Sequence, residues 1–549
     1  MDSPDFFFYL WLGMRVLFIG LLFIFVISGI DDLFLDLVYY ARVIFRHLFR
    51  RKFIKRVSLE QLNTVPEKPV AIMVPAWHEY DVISRMLMNS VGTIDYKNFV
   101  IFLGTYPNDE PTRLEALKVR EIYPNIEVVT TPQNGPTNKA DCLNWIYQGI
   151  LLYEKNHAMQ FAIVMMHDSE DIIHPLSLKF CNYLVPRVDF IQIPVYPLET
   201  PWYDFISGVY KDEFAESHVK NMRAREVLAS ALPSAGVGTA MSRAAIEFLA
   251  NKRRNQIFDI RSLTEDYLLG LSLADMPGKK IFLQQEVERR VKRRSFWTGK
   301  ETVKVMGEPI ATREFFPNTF AASTRQKARW VLGIGIQGWH AGWTHRLGDN
   351  YCLYRDRKGI PANLVIVVAY VVMVYWWVCW MISHHSSTVA IPPLVERDEI
   401  YSQLFFVVFV LLIWRLLNRA LCTGLIYGPL DAALSLPRLL VSNVVNFWAT
   451  ILAIRRYINS RLTGKEPEWG KTAHAWPTES QMRNYHRKVG DLLLECRLIN
   501  TEQLKSALEI QKRDGRKLGE VLVTMGVLTE ADLKRVLSDQ GTADAARTA

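Results

Sequence analysis

Hydrophobic positions sort this chain into three kinds of stretch. Between Pro69 and about Val305, short apolar runs of strand length alternate with helical stretches: Val70 to Val74, Val100 to Leu103, Glu127 to Thr130, Phe161 to Met166 and Phe190 to Ile193. That alternation predicts an α/β domain of nucleotide-binding type around a buried sheet. On either side lie long apolar segments. Phe6 to Ile30 is apolar except for Arg15 and a few small residues, which is long enough to span a bilayer with some tilt. Ala362 to Ile382 runs for 21 residues without a charge, and Tyr401 to about Leu421 carries Arg415 and Arg419 only toward one end. Leu434 to Ile454 is broken by Pro437, Arg438, Asn443 and Asn446, so three spans and one amphipathic interfacial helix are expected. The end of the chain has a third pattern, leucines four apart on short helices.

Half of the 549 residues are hydrophobic and 12% are aromatic, in keeping with a chain partly embedded in a membrane. Asp2 and Asp5 precede the first apolar segment, and Ser28-Gly29-Ile30-Asp31-Asp32 makes a poor cleavage site; both argue for a retained anchor rather than a secretory signal. Arg42, Arg46, Arg50, Arg51, Lys52, Lys55 and Arg56 follow it, which places that flank in the cytoplasm and the N-terminus outside. The formal charge of +9 comes largely from basic residues beside apolar segments, where they meet anionic lipid headgroups rather than nucleic acid. Six scattered cysteines (Cys142, Cys181, Cys352, Cys379, Cys422 and Cys496) give neither zinc spacing nor a disulfide framework. The expected organisation is an anchor at 1–35, a basic juxtamembrane segment at 36–68, the α/β domain at 69–340 and membrane helices at 341–458. A linker or gating segment at 459–486, a repeat domain at 487–540 and a disordered tail at 541–549 complete it.

The candidate chemistry begins where the apolar run Phe161 to Met166 ends in His167-Asp168-Ser169-Glu170-Asp171. Ligands bind beyond the carboxyl ends of strands in open α/β sheets. Asp168 and Glu170 can turn toward one hard divalent cation that bridges phosphate oxygens, the alternative being a solvated acidic loop. Asp171 is the other candidate second ligand. Pro75, Trp77 and Glu79 follow the first strand, and Pro136 to Asn144 opens a helix whose N-terminus and Lys139 can meet phosphate. Gly236 to Arg243 is a small-residue stretch that lets a ligand approach. Thr264-Glu265-Asp266 introduces a helix from Tyr267 to Ala274, with Thr264 or Asp266 also fitted to cap it. On the helix expected at Ser323 to Gly333, Gln326, Arg329 and Trp330 share a face. The basic run Arg289, Arg290, Lys292, Arg293, Arg294 and Lys300 suits a solvated face, membrane contact or attraction of an anionic donor.

Asp141, Asp168-Ser169-Glu170, Thr264-Glu265-Asp266 and Gln326-Lys327-Ala328-Arg329-Trp330 stand in the order and rough spacing of the D, DxD, TED, QxxRW signature. The segment resembles the processive family 2 glycosyltransferases. Gly104 to Asp109, Gln192 to Pro197 and Pro317 to Phe320 look closer still to the phage-adsorption-B type of bacterial inner-membrane glycosyltransferase. The resemblance implies a GT-A-type nucleotide-sugar-binding domain inserted between transmembrane helices. It also implies Mg²⁺ or Mn²⁺ on Asp168 and Glu170, and Asp266 as general base, with Glu265 and Asp168 in the catalytic group. Donor contacts are implied from Pro75, Trp77, Glu79, Lys139, Asp141, Asp168, Gln326 and Arg329. Trp330, Gly238 and Thr239 fall to the acceptor side. Two departures stand out: Thr105-Tyr106 replaces the paired acids many relatives carry after the second strand, and Glu170 replaces the second aspartate of DxD.

The C-terminal stretch repeats with a period of 29: Lys488-Val489-Gly490 matches Lys517-Leu518-Gly519, and Leu504, Leu508 and Gln511 match Leu533, Leu537 and Gln540. Each copy is too small to bury its apolar face alone, so the two must pack into a small all-α domain. It resembles the MshEN module of type II secretion ATPases, which implies cyclic di-GMP as an effector. The matching positions are Arg487, Lys488, Val489, Gly490, Leu493, Leu494, Arg497, Leu498, Leu504, Leu508 and Gln511. In the second copy they are Arg516, Lys517, Leu518, Gly519, Leu522, Val523, Gly526, Val527, Leu533, Leu537 and Gln540. Arg497 stands where the motif has glycine, and lysine opens both copies in place of arginine; a docking module that has lost its ligand is the alternative. Trp469-Gly470-Lys471-Thr472 in the preceding segment reads as a gating element or a plain tether.

These features together predict an inner-membrane, inverting, processive transferase that builds an exopolysaccharide from a UDP-sugar, with UDP-N-acetylhexosamines, N-acetylmannosamine among them, first in line. Its partners are the donor, the growing glycan, membrane lipid, cyclic di-GMP and an outer-membrane export partner. Two other classes remain open to the same sequence: an envelope scaffold or phage-entry protein with an inactive fold, and a lipid-linked transferase that adds one sugar.

Overall fold

The structure is a computed structural model, and it describes residues 3–49, 57, 59–294, 301–385, 391–396, 400–464, 476–477, 490, 493–494, 498–514, 516 and 518–533. The chain forms two compact units. One comprises Arg56–Leu198, Ala231–Phe315 and Trp469–Ala549, and the other Met1–Lys55, Glu199–Ser230 and Phe316–Glu468.

The first unit is built on a seven-stranded sheet in the order β3-β2-β1-β4-β7-β5-β8. Its strands are β1 (Val70–Pro75), β2 (Phe99–Thr105), β3 (Ile126–Thr130), β4 (Ile163–Met166), β5 (Phe190–Gln192), β7 (Thr239–Ser242) and β8 (Lys280–Phe282). The strands β1, β2 and β4 are wholly buried, as expected of apolar runs covered on both faces. They pair in parallel, Val70 opposite Phe99 on one side and Ile163 on the other, so their carboxyl ends lie together.

Several helices belong to this unit: α2 (Leu59–Asn63), α3 (Ile83–Thr93), α4 (Glu110–Ile122), α5 (Lys139–His157), α6 (Ser177–Leu184), α9 (Arg243–Lys252) and α10 (Glu265–Ser272). Helix α5 packs on β1 and β2 so closely that a Cβ on Gly104 would lie 2.5 Å from Cys142 Sγ. Two smaller pairings complete the unit, β6 (Val195–Pro197) with β11 (Thr312–Glu314) and the hairpin β9 (Glu286–Arg294) with β10 (Glu301–Pro309).

The five strands read from periodicity are all present. Thr239–Ser242, expected as a ligand-approach stretch, is in addition a buried strand antiparallel to both β4 and β5. The basic run from Arg289 to Arg294 is part of β9, held by backbone pairing to β10; Lys300 lies outside the described residues.

In the second unit four helices are long and apolar enough to cross a membrane: α1 (Ser3–Phe49), α12 (Leu347–His385), α13 (Ile400–Tyr427) and α14 (Pro429–Thr463). The shorter α7 (Phe205–Glu216), α8 (Met222–Leu228) and α11 (Phe320–Trp330) pack with them. Two expectations change here. Helix α1 runs unbroken through the boundary expected near residue 35, because its acidic residues are paired. Asp31 meets Arg355 at 2.7 Å, Asp32 meets Arg355 at 2.9 Å, and Asp36 meets Lys220 at 2.6 Å. The segment expected as an interfacial helix is part of the 35-residue α14, and Pro437 lies inside it without ending it. Its Arg438 is fully buried, bonding Asp212 through Nη2 at 2.8 Å and Nε at 3.0 Å, and Asp431 through Nη1 at 2.9 Å.

At the C-terminal end of the first unit, α15 (Thr501–Asp514) and α16 (Leu518–Thr524) pack around Leu493, Ile499, Leu504, Ala507, Val521, Leu522 and Leu528. The repeat is structural: a Cβ on Gly490 would lie 2.9 Å from Leu504 Cδ1, and one on Gly519 2.8 Å from Leu533 Cδ1. Glycine and leucine fourteen residues apart make the same contact in each copy.

Candidate active site

Strand β4 delivers its acidic exit into the middle of the sheet's carboxyl end. His167 and Asp171 are both buried and bonded to each other, Nδ1 to Oδ2 at 2.7 Å. Burial pushes the His167 imidazole down to about 3, so the ring is neutral and its Nδ1–H donates to Asp171. The same Asp171 oxygen accepts the Asp168 N–H at 3.1 Å. Asp171 is therefore bound up in closing the turn. Glu170 is buried and accepts the Ser169 hydroxyl at 3.1 Å. Asp168 Oδ1 is a buried oxygen whose charge is met by the Lys139 ammonium at 2.5 Å.

Lys139 opens α5, whose first turn is capped by Asn138, the Asn138 Oδ1 accepting the Asp141 N–H at 2.8 Å. Burial disfavours the ammonium, yet Asp168, Glu265 and Asp266 together hold it well above the ordinary lysine range. Three sequence motifs thus meet at one cation: the helix opening at 139, the β4 exit and the start of α10. The Asp266 carboxylate accepts the Tyr267 N–H at 2.7 Å. Its Oδ2 lies where a Cβ on Gly236 would come within 2.6 Å, and Gly236 has φ +81°. The small-residue stretch at 236 thus admits the Asp266 side chain, a reason for glycine that spacing alone does not show.

Two of the expected acceptor-side residues have internal partners. Gly238, at φ +61°, packs against Thr312 and Ile193. Thr239 is buried, and its hydroxyl bonds Gln192 Oε1 at 2.8 Å and Ser234 Oγ at 2.7 Å.

Beyond β1, Pro75 leads into Trp77, His78 and Glu79. Trp77 stacks edge-on to Tyr106 with centroids 5.0 Å apart, and its ring fills the space a Cβ on Gly135 would need. Tyr106 shares a 2.8 Å hydrogen bond with Thr137, so the residue standing where relatives carry acids is a packed aromatic wall. Nearby, Asp141 Oδ2 is buried without a hydrogen-bond partner among the described residues. His78 holds φ +56°, uncommon for a non-glycine residue; its N–H donates to the fully buried Asp109 at 2.6 Å, and the Glu79 N–H donates to Thr112 Oγ1 at 3.0 Å.

Gln326, Arg329 and Trp330 lie on α11, in the second unit. Lys327 between them is buried and bonds Glu213 Oε2 at 2.6 Å and Asn446 Oδ1 at 2.9 Å, tying α11 to α7 and α14. Trp330 packs in an aromatic group with Tyr210, Phe214 and Phe316. Gln326 Oε1 is buried without a hydrogen-bond partner among the described residues.

Of the expected effector positions, Leu493, Leu504 and Leu522 are core, whereas Gly526 at φ +68° has open space around it. Gln511 donates to the Arg516 carbonyl at 3.1 Å. Arg487, Lys488, Val489, Arg497, Lys517, Leu537, Gln540 and the Trp469–Thr472 segment lie outside the described residues.

Two further residues join the site, one inside a stretch that carried the family resemblance without a role of its own and one that motif reading missed. Asp109 is the clamp on the β1 loop. Glu314 on β11 is carried beside the β4 exit by the backbone bridge between Ile172 and Arg313. Burial, then Asp171, Glu170 and Asp168, push the Glu314 carboxyl well above its ordinary range. Asp109 closes the Gly104 to Asp109 stretch quoted above, whereas Glu314 had no usable signal in sequence, being a lone acid placed by tertiary structure.

Residues 66–333 match the family model described as glycosyltransferase like family 2. Bacteriophage adsorption protein B of Escherichia coli K12 is 38% identical over 541 residues, covering 96% of this chain and 71% of that protein. Among solved structures, a Pyrobaculum calidifontis mannosyltransferase in complex with GDP-Man and Mn²⁺ aligns with TM-score 0.44 and 12% identity, over 80% of this chain and 99% of that one. The S. aureus TarS 1–349 structure aligns with TM-score 0.28 and 11% identity, over 74% and 98% of the respective chains. The chain is a membrane glycosyltransferase of family 2 and belongs to the bacteriophage adsorption protein B family.

Proposed function

We propose that this enzyme is an inverting, processive glycosyltransferase of the bacterial inner membrane that extends an exopolysaccharide from a UDP-sugar and is activated by cyclic di-GMP. The observation that carries the reading is the 2.5 Å ion pair of Asp168 with Lys139, on whose ammonium Glu265 and Asp266 also act electrostatically. A partly buried lysine held charged by acids from distant motifs marks a place organised around a charge that comes and goes.

A divalent ion fits the β4 exit. Asp168 Oδ1 is buried and faces the Lys139 ammonium at 2.5 Å, and Glu170 is buried two residues on. Asp168 and Glu170 would hold Mg²⁺ or Mn²⁺. When bound, that ion neutralises the charge growing on the leaving diphosphate. Lys139, relieved of Asp168, turns to the same phosphates. Trp77 and Tyr106 wall the nucleoside, and Asp141 Oδ2 offers it an acceptor. Asp266 takes the proton of the acceptor hydroxyl as its oxygen bonds the anomeric carbon, and UDP leaves from the opposite face, so the configuration inverts.

The domain limits expected from sequence, apart from the boundary near residue 35 and the interfacial helix, belong to the same proposal, as do the cytoplasmic placing of the catalytic unit, the acceptor role of Trp330 and the donor choice among UDP-N-acetylhexosamines, N-acetylmannosamine included. The repeated Gly–Leu contact supports a genuine two-copy effector module. An outer-membrane partner would take the polymer onward. The test is polymer synthesis in membranes from UDP-sugars with Mg²⁺ or Mn²⁺, with and without cyclic di-GMP, wild type beside Asp266→Asn. Product that needs the effector and vanishes in the variant is expected; no product from any donor would favour a scaffold.

A further inference from the structure

Helix α4 touches two places of separate interest. At its N-terminal end Asp109, which is fully buried, accepts the His78 N–H at 2.6 Å, and Thr112 accepts the Glu79 N–H at 3.0 Å. Those two hydrogen bonds fix the loop after β1, including the left-handed backbone of His78, a conformation that persists only when its surroundings impose it. At the other end Ile122 is buried in the core of the C-terminal repeat unit, among Leu493, Leu504, Ala507 and Leu522, with Tyr123 packed against the same cluster. Helix α15 lies against α4. The 13 residues between these ends form one uninterrupted helix, about 20 Å long.

We propose that α4 is the link by which the C-terminal repeat unit sets the loop at residues 75–79: Asp109 and Thr112 are positioning residues for that loop, and the seat of the repeat unit on Ile122 and Tyr123 fixes the helix that carries them. A packed helix moves as a body rather than bending. A change in how the repeat unit sits on Ile122 is therefore delivered to the two amide hydrogen bonds at the far end. The proposal rests on the donor reading of the loop only for its consequence, tighter or weaker UDP binding, and not for the mechanical link itself.

Hydrogen exchange on the full-length protein in lipid nanodiscs reads the link directly, because the His78 and Glu79 amides are the donors. Ile122→Asn breaks the seat from the α4 side and Ala507→Glu from the repeat side, while Ile122→Val keeps it. In both breaking variants the two amides should exchange at least about fivefold faster, with Ile122→Val matching wild type. Loosening of residues 493–533 in both variants with both amides at their wild-type rates overturns the link. Unchanged protection of 493–533 in both variants overturns it too, since Ile122 would then not be the seat. A UDP titration with Mn²⁺ on the same samples separates the two readings. Faster amides with loop exchange indifferent to UDP in wild type support the link and retire the donor role of the loop; faster amides with UDP affinity reduced about fivefold support both.

Discussion

The two units treat buried charge in opposite ways. In the helical unit four acids are closely paired with bases. Asp212 has Arg438, Glu213 has Lys327, Asp36 has Lys220, and Asp31 has Arg355, all within 3 Å. In the catalytic unit Asp168, Glu170, Asp171 and Glu314 crowd at one strand exit, where burial and mutual repulsion drive Asp171 and Glu314 well above the carboxylate range. Paired charge of the first kind locks helices together; excess charge of one sign is costly in the resting protein and is held where a ligand of the opposite sign will come. The contrast separates structural ion pairs from chemical ones without appeal to motif.

Substitutions can break or sharpen that contrast. The largest effect should come from Asp266→Asn, which is expected to reduce sugar transfer by about 10²–10⁴-fold while leaving the melting temperature within a degree or two of wild type. Both are read from one preparation by polymer assay and thermal unfolding. Next is Arg438→Met, which leaves Asp212 buried beside Asp431 with its principal partner gone; a loss of about 3–5 kcal/mol in stability is expected. The double variant Asp212→Leu with Arg438→Met should recover much of it. Glu314→Gln tests the other side and should stabilise the resting protein by about 1 kcal/mol, because it removes one of the mutually repelling acids. A destabilised Glu314→Gln protein would show the cluster to be structural after all.

The smallest effect concerns pH. His167 binds its proton far less readily in the fold, at about 3, than in the unfolded chain near 6.5. Its contribution to stability is fully present above about pH 6.5 and is lost as pH falls toward 3, since only the unfolded state takes up the proton in that window. The His167 contribution should therefore fall between pH 7.5 and 5.5, against the opposite contribution of Asp171 and Glu314, so the melting temperature of His167→Asn relative to wild type should rise over that interval.

Much of this was legible in the sequence. The strands of the sheet's parallel half declared themselves as apolar runs, and Asp141, Asp168, Glu265 and Asp266 as ordered motifs. What was not legible depended on contacts far along the chain. Strand β7 is made of small residues that carry no strand-like alternation. Helix α1 continues because Asp31 finds Arg355, more than 300 residues away. Asp109 and Glu314 are lone acids whose place is set by the start of α4 and by the bridge from Ile172 to Arg313. The reason for glycine at 236 became visible only once Asp266 was seen above it.

The central claim is that the acids at the β4 exit await a metal-bound nucleoside diphosphate. Calorimetric titration of UDP into the full-length protein in nanodiscs, with and without Mn²⁺, tests it for wild type beside Asp168→Asn. The account predicts that Mn²⁺ tightens UDP binding at least about tenfold in wild type and leaves Asp168→Asn unchanged; UDP binding of equal strength in both proteins, indifferent to the metal, would contradict it.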